Sequence, residues 1–255
     1  MKRQMNKKVL SLFAHPDDAE FSCAGTLALL NQSRWDIHIA TMTSGDCGTT
    51  KLSSEEISRI RRQEAAGSAE ILKGTFHCLE CDDMFIMYDR PTLLKVIEIL
   101  RKIKPAIVFT HSPADYLTDH ENTSRLVWTG CFSAGMRNIE IAGTKPFETV
   151  PYLYYADPFE GKDKFGTEIK PSVLIDITTV IDIKEKMLCC HKSQRNWLLE
   201  HHGMDEYVES MKRFCRLRGR IINKDYAEGF RQHLGHGFGQ DNILKRQLPG
   251  RVYQK

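Results

Sequence analysis

The residues best suited to chemistry are His15, Asp17 and Asp18, in the run Ala14-His15-Pro16-Asp17-Asp18-Ala19-Glu20, and His120, in Asp119-His120-Glu121-Asn122 much later in the chain. An imidazole and a carboxylate three residues apart on a strand-to-helix turn can converge on one borderline divalent ion such as Zn²⁺. With His120 they form a His₂-carboxylate set that leaves coordination positions open, the pattern of a catalytic rather than a structural zinc site. Asp17 is then left over, a carboxylate able to take a proton from a water that the ion acidifies while the ion polarises a carbonyl oxygen. That chemistry is amide or ester hydrolysis. By itself, His-Pro-Asp-Asp is better explained by a proline turn before an Asp-capped helix, and the paired Asp119-His120 reverses that preference in favour of a metal. A ligand imidazole needs an acceptor for its other N–H, which Asp115 can supply, with Asp119 beside His120 as a second supporting carboxylate. His111 reads equally as a strand terminus with a satisfied ring.

These residues need a scaffold that brings distant turns together. Lys8 to Ala14 reads as a strand, about Ala19 to Gln32 as a helix and Ile37 to Met42 as a strand that runs into a Ser/Gly/Asp/Thr loop at residues 44–50. A capping-box start at Ser53-Ser54-Glu55-Glu56 opens a helix to about Leu72, with Gly74 as its stop. Phe76 to Leu79 is a third strand, Pro91 opens a helix to Lys102, and Ala106 to Thr110 is a buried fourth strand. This alternation predicts an α/β, Rossmann-like fold: a mostly parallel sheet with helices on both faces. In the strand order 3-2-1-4-5, strands one and four are neighbours, so the turns that follow them share one crevice. Strands at Pro151 to Ala156 and Val173 to Ile177 and helices at Val180 to Ser193 and Met204 to Ile222 continue the chain. One catalytic domain is expected over residues 1–230. Residues 231–255, with His233, His236 and several glycines, read as a loop-like C-terminal extension over the surface or a partner subunit.

Composition narrows the function classes. In 255 residues, 41% are hydrophobic, and 36 basic against 33 acidic side chains give a net charge of +3. That balance argues against nucleic acid or an anionic membrane as the main partner. No apolar run approaches the ~18 residues that cross a bilayer, and the basic start with its six-residue apolar run lacks a cleavage pattern. Eight cysteines without an export signal read as reduced thiols in the cytoplasm. Cys78-x-x-Cys81 beside His77 has no second pair at finger spacing, so a core strand is preferred there to zinc. Trp197, Tyr207, Met211 and Phe214 suit either a homo-oligomer interface or a helix packed on the core.

The motifs together resemble the LmbE/PIG-L family of zinc-dependent N-deacetylases. The resemblance runs from about residue 8 to 230. It rests on residues 14–20, on Arg61-Arg62-x-Glu64-Ala65, on Asp119-His120-x-Asn122, on His191-x-Ser193-Gln194 and on Tyr226-Ala-Glu-x-Phe230. It implies an LmbE-like fold, zinc or another divalent metal held by His15, Asp18 and His120, and Asp17 as the general base. It further implies that Arg61 and Asp82 contact substrate, although a solvated helix face and a polar strand exit explain these residues as well. Where many family members have a histidine, this chain has Leu117. The vacated oxyanion or proton-donor role has His191, Tyr116 and His111 as candidates, or Asp17 carries the proton both ways. His191 is preferred on its motif, and Tyr116 is placed in the substrate pocket. The expected activity is removal of an N-acetyl group from a small amino-sugar conjugate. The alternatives are cleavage of a larger amide conjugate, or a non-catalytic sugar- or nucleotide-binding module, which the spare Asp17 disfavours.

Overall fold

The computed structural model describes residues 6–195 and 206–254, except the side chain of Glu206. Eight strands form one sheet in the order β3-β2-β1-β4-β5-β7-β6-β8. β1 (Lys8–Phe13), β2 (Asp36–Thr43), β3 (Thr75–Cys81), β4 (Ile107–Thr110) and β5 (Tyr152–Ala156) are parallel. β6 (Val173–Asp176), β7 (Ala227–Gln232) and β8 (Val252–Gln254) extend the sheet antiparallel.

Every residue of β1 after Lys8 is buried, as a strand covered on both faces requires. Val9 and Phe13 pack on one face with α2 (Ala24–Gln32), α6 (Ile181–Leu188) and α7 (Glu206–Ile221). Leu10 and Leu12 pack on the other with α4 (Arg90–Ile103) and α5 (Thr118–Ser133). Full burial of each such side chain contributes roughly 1.5–3 kcal/mol. α3 (Ser54–Ile71) starts in a reciprocal capping box between Ser53 and Glu56.

The helix expected over Ala19 to Gln32 is two helices, α1 (Asp18–Ser22) and α2, broken at Cys23, which has φ −141°. The break frees the first amides of α2 for the carboxylate of Glu228. Gly25 N–H donates to its Oε1 at 2.9 Å and Thr26 N–H to its Oε2 at 2.7 Å. Gly25 is required there because a Cβ would lie 2.8 Å from the Ile177 side chain. Glu228 also accepts from Lys184 Nζ at 2.5 Å, and both side chains are almost wholly buried. Helix α6 stops at Leu188, short of the expected Ser193, and the chain turns at Cys189 and Cys190. The extension expected over residues 231–255 belongs partly to the sheet. Arg231 and Gln232 complete β7, α8 spans Ile243–Gln247 and β8 pairs with β6.

At the edge of the parallel part, Asp36 fixes the tautomers of two stacked imidazoles. His38 Nε2 lies 3.3 Å from Asp36 Oδ2 and donates to it, so His38 Nδ1 accepts from His77 Nε2 at 3.1 Å. Burial lowers the pKa of both rings, which favours this neutral arrangement. Burial, the His38 ring and Lys102 push His77 down to about 4. Because the folded pKa lies below the unfolded value of ~6.5, the stability is present above pH ~6.5 and is lost as the pH falls toward about 4. Between pH 7 and 4.5, wild type should lose about 1 kcal/mol more than His77→Gln in urea unfolding, after allowance for solvent screening. Parallel stability curves for the two proteins would refute the assignment.

Candidate active site

The functional side chains sit at the carboxyl ends of the five parallel strands, where an open α/β sheet places its ligand crevice. His15, Asp17 and Asp18 follow β1, Gly48 and the rest of its loop follow β2, Asp83 follows β3, His111 to His120 follow β4 and Asp157 follows β5. Of these, His15, Asp17, Asp18, Gly48, Asp83, His111, Asp115, Tyr116, Leu117, His120 and Asp157 line a cavity of about 880 Å³.

Asp18 is ringed by imidazoles. Its Oδ2 lies 3.3 Å from His15 Nδ1 and 3.2 Å from His111 Nε2, and its Oδ1 lies 3.5 Å from His120 Nε2. Burial opposes ionisation, but the facing His120 holds the Asp18 carboxyl well below the usual carboxylate range. His15, Asp18 and His120 offer ligand atoms within 4.8 Å of one another. A nitrogen-oxygen donor set of two imidazoles and one carboxylate fits a divalent cation. The further buried carboxylates of Asp83 and Asp119, 3.1 and 3.3 Å from His15 Nε2, add negative charge that such a cation would balance. His111 is not equivalent to the other two histidines. The backbone N–H of Ala14 donates to its Nε2 at 3.0 Å, so that lone pair is already used and the ring is neutral. Burial and His120 push His111 down to about 4, in keeping with this. The ring stacks on His120 with centroids 3.8 Å apart and supports it. Asp115, 1% exposed, accepts from His120 Nδ1 at 3.0 Å, which leaves Nε2 facing Asp18. Asp119 Oδ2 accepts from Met84 N–H at 2.8 Å while it faces His15. His120 lies in the first turn of α5, not in the loop expected from sequence, so a helix fixes its direction.

Asp17 is separated from this cluster by backbone conformation. At φ 98° it lies in the left-handed region, and it lines the cavity outside the His15, Asp18 and His120 group. Its Oδ2 accepts from the Tyr207 hydroxyl at 2.5 Å. Burial and the adjacent Asp18 charge lift Asp17 to about 6, against the opposing pull of His191, the Tyr207 hydroxyl and Arg61.

Arg61, 5% exposed, projects from α3 beneath the loop after β2. Its guanidinium donates to Gly48 O at 3.1 Å and to Gln194 Oε1. Gly45, at φ 72°, and Gly48 are glycines because a Cβ on either would meet that guanidinium within 2.4 Å. One turn on, Glu64 accepts from the amide and hydroxyl of Ser193 at 2.9 and 2.6 Å. The Arg-x-x-Glu and Ser-Gln motifs thus clamp one another.

Three groups of residues lie in places that the sequence did not indicate. Asp82 is exposed and lies outside the cavity lining, because the turn after β3 directs its neighbour Asp83 inward to His15. His191 is 1% exposed and is not among the residues that line the cavity. Its Nε2 lies 3.3 Å from Glu20 Oε1, outside hydrogen-bond geometry, in a packed layer where Glu20 also accepts from Ser68 at 2.6 Å. Tyr207 and Phe214, read as interface or core residues, line the cavity together with Ser210. Their i, i+3, i+7 spacing marks one face of α7, and that periodicity was the signal available in the sequence. Met211 packs in the core, and Trp197 lies outside the described residues. Tyr116 stands at the mouth with its ring edge-on to His120 at 5.3 Å, and Leu117 occupies the wall beside it. All eight cysteines are free.

The fold and the site together define a Rossmann-like α/β protein whose ligand crevice is built around a buried His/Asp cluster able to hold a metal. Residues 10–131 match the family PIG-L: GlcNAc-PI de-N-acetylase. It is 27% identical over 232 residues to a diacetylchitobiose deacetylase of Thermococcus kodakarensis, covering 88% of this chain and 82% of that protein. It is 26% identical over 208 residues to a 4-oxalmesaconate hydratase of Pseudomonas putida, covering 76% and 78%. The structure of N,N'-diacetylchitobiose deacetylase from Pyrococcus horikoshii superposes with a TM-score of 0.75 at 26% identity, covering 89% and 84%.

Proposed function

We propose that this protein is a metal-dependent N-deacetylase that removes an acetyl group from a small amino-sugar conjugate. The observation that carries this reading is the division of labour between adjacent carboxylates: Asp18 faces three imidazoles, whereas Asp17 is turned into the cavity and held by Tyr207. The relatives named as deacetylases support it. His15, Asp18 and His120 would hold Zn²⁺ or another divalent ion. Such an ion supplies Lewis-acid polarisation of the amide carbonyl and lowers the pKa of water. Asp115 orients His120 and Asp119 orients His15. Asp17 accepts the proton of the attacking water at Oδ1, since Tyr207 holds Oδ2, and returns it to the leaving nitrogen. With Leu117 where many family members have histidine, Asp17 serves in both directions. Arg61 and Tyr116 border the space left for substrate.

Among the described residues no helix is long and apolar enough to cross a membrane. Free thiols and a modest net charge fit a cytoplasmic enzyme acting on a small molecule.

A second reading has one specific observation behind it: a relative of nearly equal identity is a hydratase. Activating water beside an acid-base carboxylate would serve addition of water as well as hydrolysis. One assay separates the two, measuring acetate released from N,N'-diacetylchitobiose against water added to 4-oxalmesaconate. Acetate release is expected; hydration without acetate release would overturn the deacetylase reading.

A further inference from the structure

The chain between β5 and β6 forms a strap at the cavity mouth. It leaves β5 through Asp157, Pro158 and Phe159, all of which line the cavity, and the Phe159 ring lies 6.2 Å from Tyr116 and 5.2 Å from Phe21. It then doubles back on itself. Lys162 bridges to Glu168, Asp163 N–H donates to Thr167 O at 3.0 Å, and Asp163 Oδ1 accepts from the amides of Phe165 and Thr167 at 2.9 Å. Ile169 N–H closes the ribbon on Gly161 O at 2.8 Å, and Gly161 N–H donates to Pro158 O at 2.9 Å. These bonds tie Phe159 and the ribbon beyond it into one unit.

The two ends of this unit are held with different strength. At the base, one side chain of α7 pins both strands of the strap: Arg218 Nε donates to Asp157 Oδ2 at 2.7 Å and its Nη2 to Ile169 O at 3.1 Å, and the ion pair is almost wholly buried. At the tip, Lys164 Nζ crosses to α5 and donates to Glu121 Oε2 at 2.8 Å and Oε1 at 3.1 Å, with Lys164 49% exposed. Phe165 beside it is 82% exposed, so the tip gains little from packing. Glu121 is a fixed catch, because it follows His120 in the first turn of α5 and its Oε1 also accepts from Asp115 N–H at 3.2 Å. Breaking a buried charge pair is strongly unfavourable, whereas an exposed pair shifts an equilibrium by about fivefold at most. The tip therefore releases while the base stays in place, and the residues beside the Arg218 contacts, Pro158 and Lys170, absorb the rotation.

We propose that residues 159–169 are a lid on the cavity, pivoting on Arg218 and latched by Lys164 on Glu121, and that release of the latch draws Phe159 away from Tyr116 and opens the crevice to its ligand. A weak latch suits a contact that breaks and re-forms in every turnover. The test is fluorine NMR of the full chain labelled with fluorotyrosine, in which the Tyr116 signal, identified by its loss in Tyr116→Phe, reports whether Phe159 is against it. Lys164→Met removes the latch without touching a residue that lines the cavity. At low salt it should raise the population of an open Tyr116 signal about threefold over wild type, and Lys164→Arg should stay at the wild-type level. In about 1 M NaCl, where the screening length falls to about 3 Å, wild type should approach Lys164→Met, which itself should not respond. The KM of Lys164→Met should rise about threefold with kcat within about twofold of wild type, because a looser lid retains substrate less well. KM is read on whichever of N,N'-diacetylchitobiose and 4-oxalmesaconate the wild type converts, so the result does not depend on the deacetylase reading. A Tyr116 signal that is the same in wild type and Lys164→Met at both salt concentrations makes the strap a fixed wall and overturns the lid. An altered signal with unchanged KM overturns its control of the cavity.

Discussion

Asp17→Asn should lose about a thousandfold in kcat, roughly 4 kcal/mol of barrier, while retaining its full metal content. The substitution changes little else. Asparagine tolerates the left-handed backbone at φ 98°, and its side-chain oxygen can still accept the Tyr207 hydroxyl at the position of Oδ2. The ligand-type cluster of His15, Asp18 and His120 does not include residue 17. What disappears is the ability to take a proton. Steady-state acetate release, with metal content measured on the same samples, checks this. Activity within tenfold of wild type would remove Asp17 as the base, and loss of metal would make it a ligand instead.

Lys184→Met should destabilise the fold by about 3–5 kcal/mol, a large part of the ~5–15 kcal/mol that holds a domain together. Lys184 Nζ is wholly buried and donates to Glu228 Oε1 and to Phe21 O at 2.7 Å. Burial works against its charge, but Glu228 holds the Lys184 pKa above the ordinary value. Methionine fills the volume but leaves Glu228 as a buried carboxylate, compensated only by the α2 amides and the Thr26 hydroxyl. Combining it with Glu228→Gln should recover part of the loss by removing the stranded charge. Urea unfolding of the single and double variants checks this. A single-variant loss below 1 kcal/mol would show that the pair contributes little. Because Phe21 lines the cavity and its carbonyl is held by Lys184, the pair also links core stability to the shape of the site.

What the sequence revealed of the fold was local. Apolar runs such as Val9 to Ala14 and Ala106 to Phe109, ending in His-Pro-Asp-Asp and in His111-Ser-Pro, were enough to place β1, β4 and the turns after them side by side. The antiparallel additions were not legible in this way. β8 is three residues long, and β7 contains Glu228, Gly229, Arg231 and Gln232, which suppress any strand pattern. The break between α1 and α2 was hidden because it answers to Glu228, far along the chain. The same limit applies at the site. His15, Asp17, Asp18 and His120 announce themselves by residue type. Whether Asp82 or Asp83 turns inward depends on the exit of one strand, and Tyr207 reaches Asp17 only through the docking of α7. His191, singled out by its motif, is buried beside Glu20, a surrounding that its residue type could not indicate.

The central claim is that turns after β1 and β4 hold one divalent ion between them. The most direct measurement is an anomalous-difference crystallographic map of protein loaded with Zn²⁺. It should show one peak within bonding distance of His15, Asp18 and His120, with Asp17 outside the ligand shell. A peak held instead by His15, Asp83 and Asp119, or no peak near His120, would contradict the account.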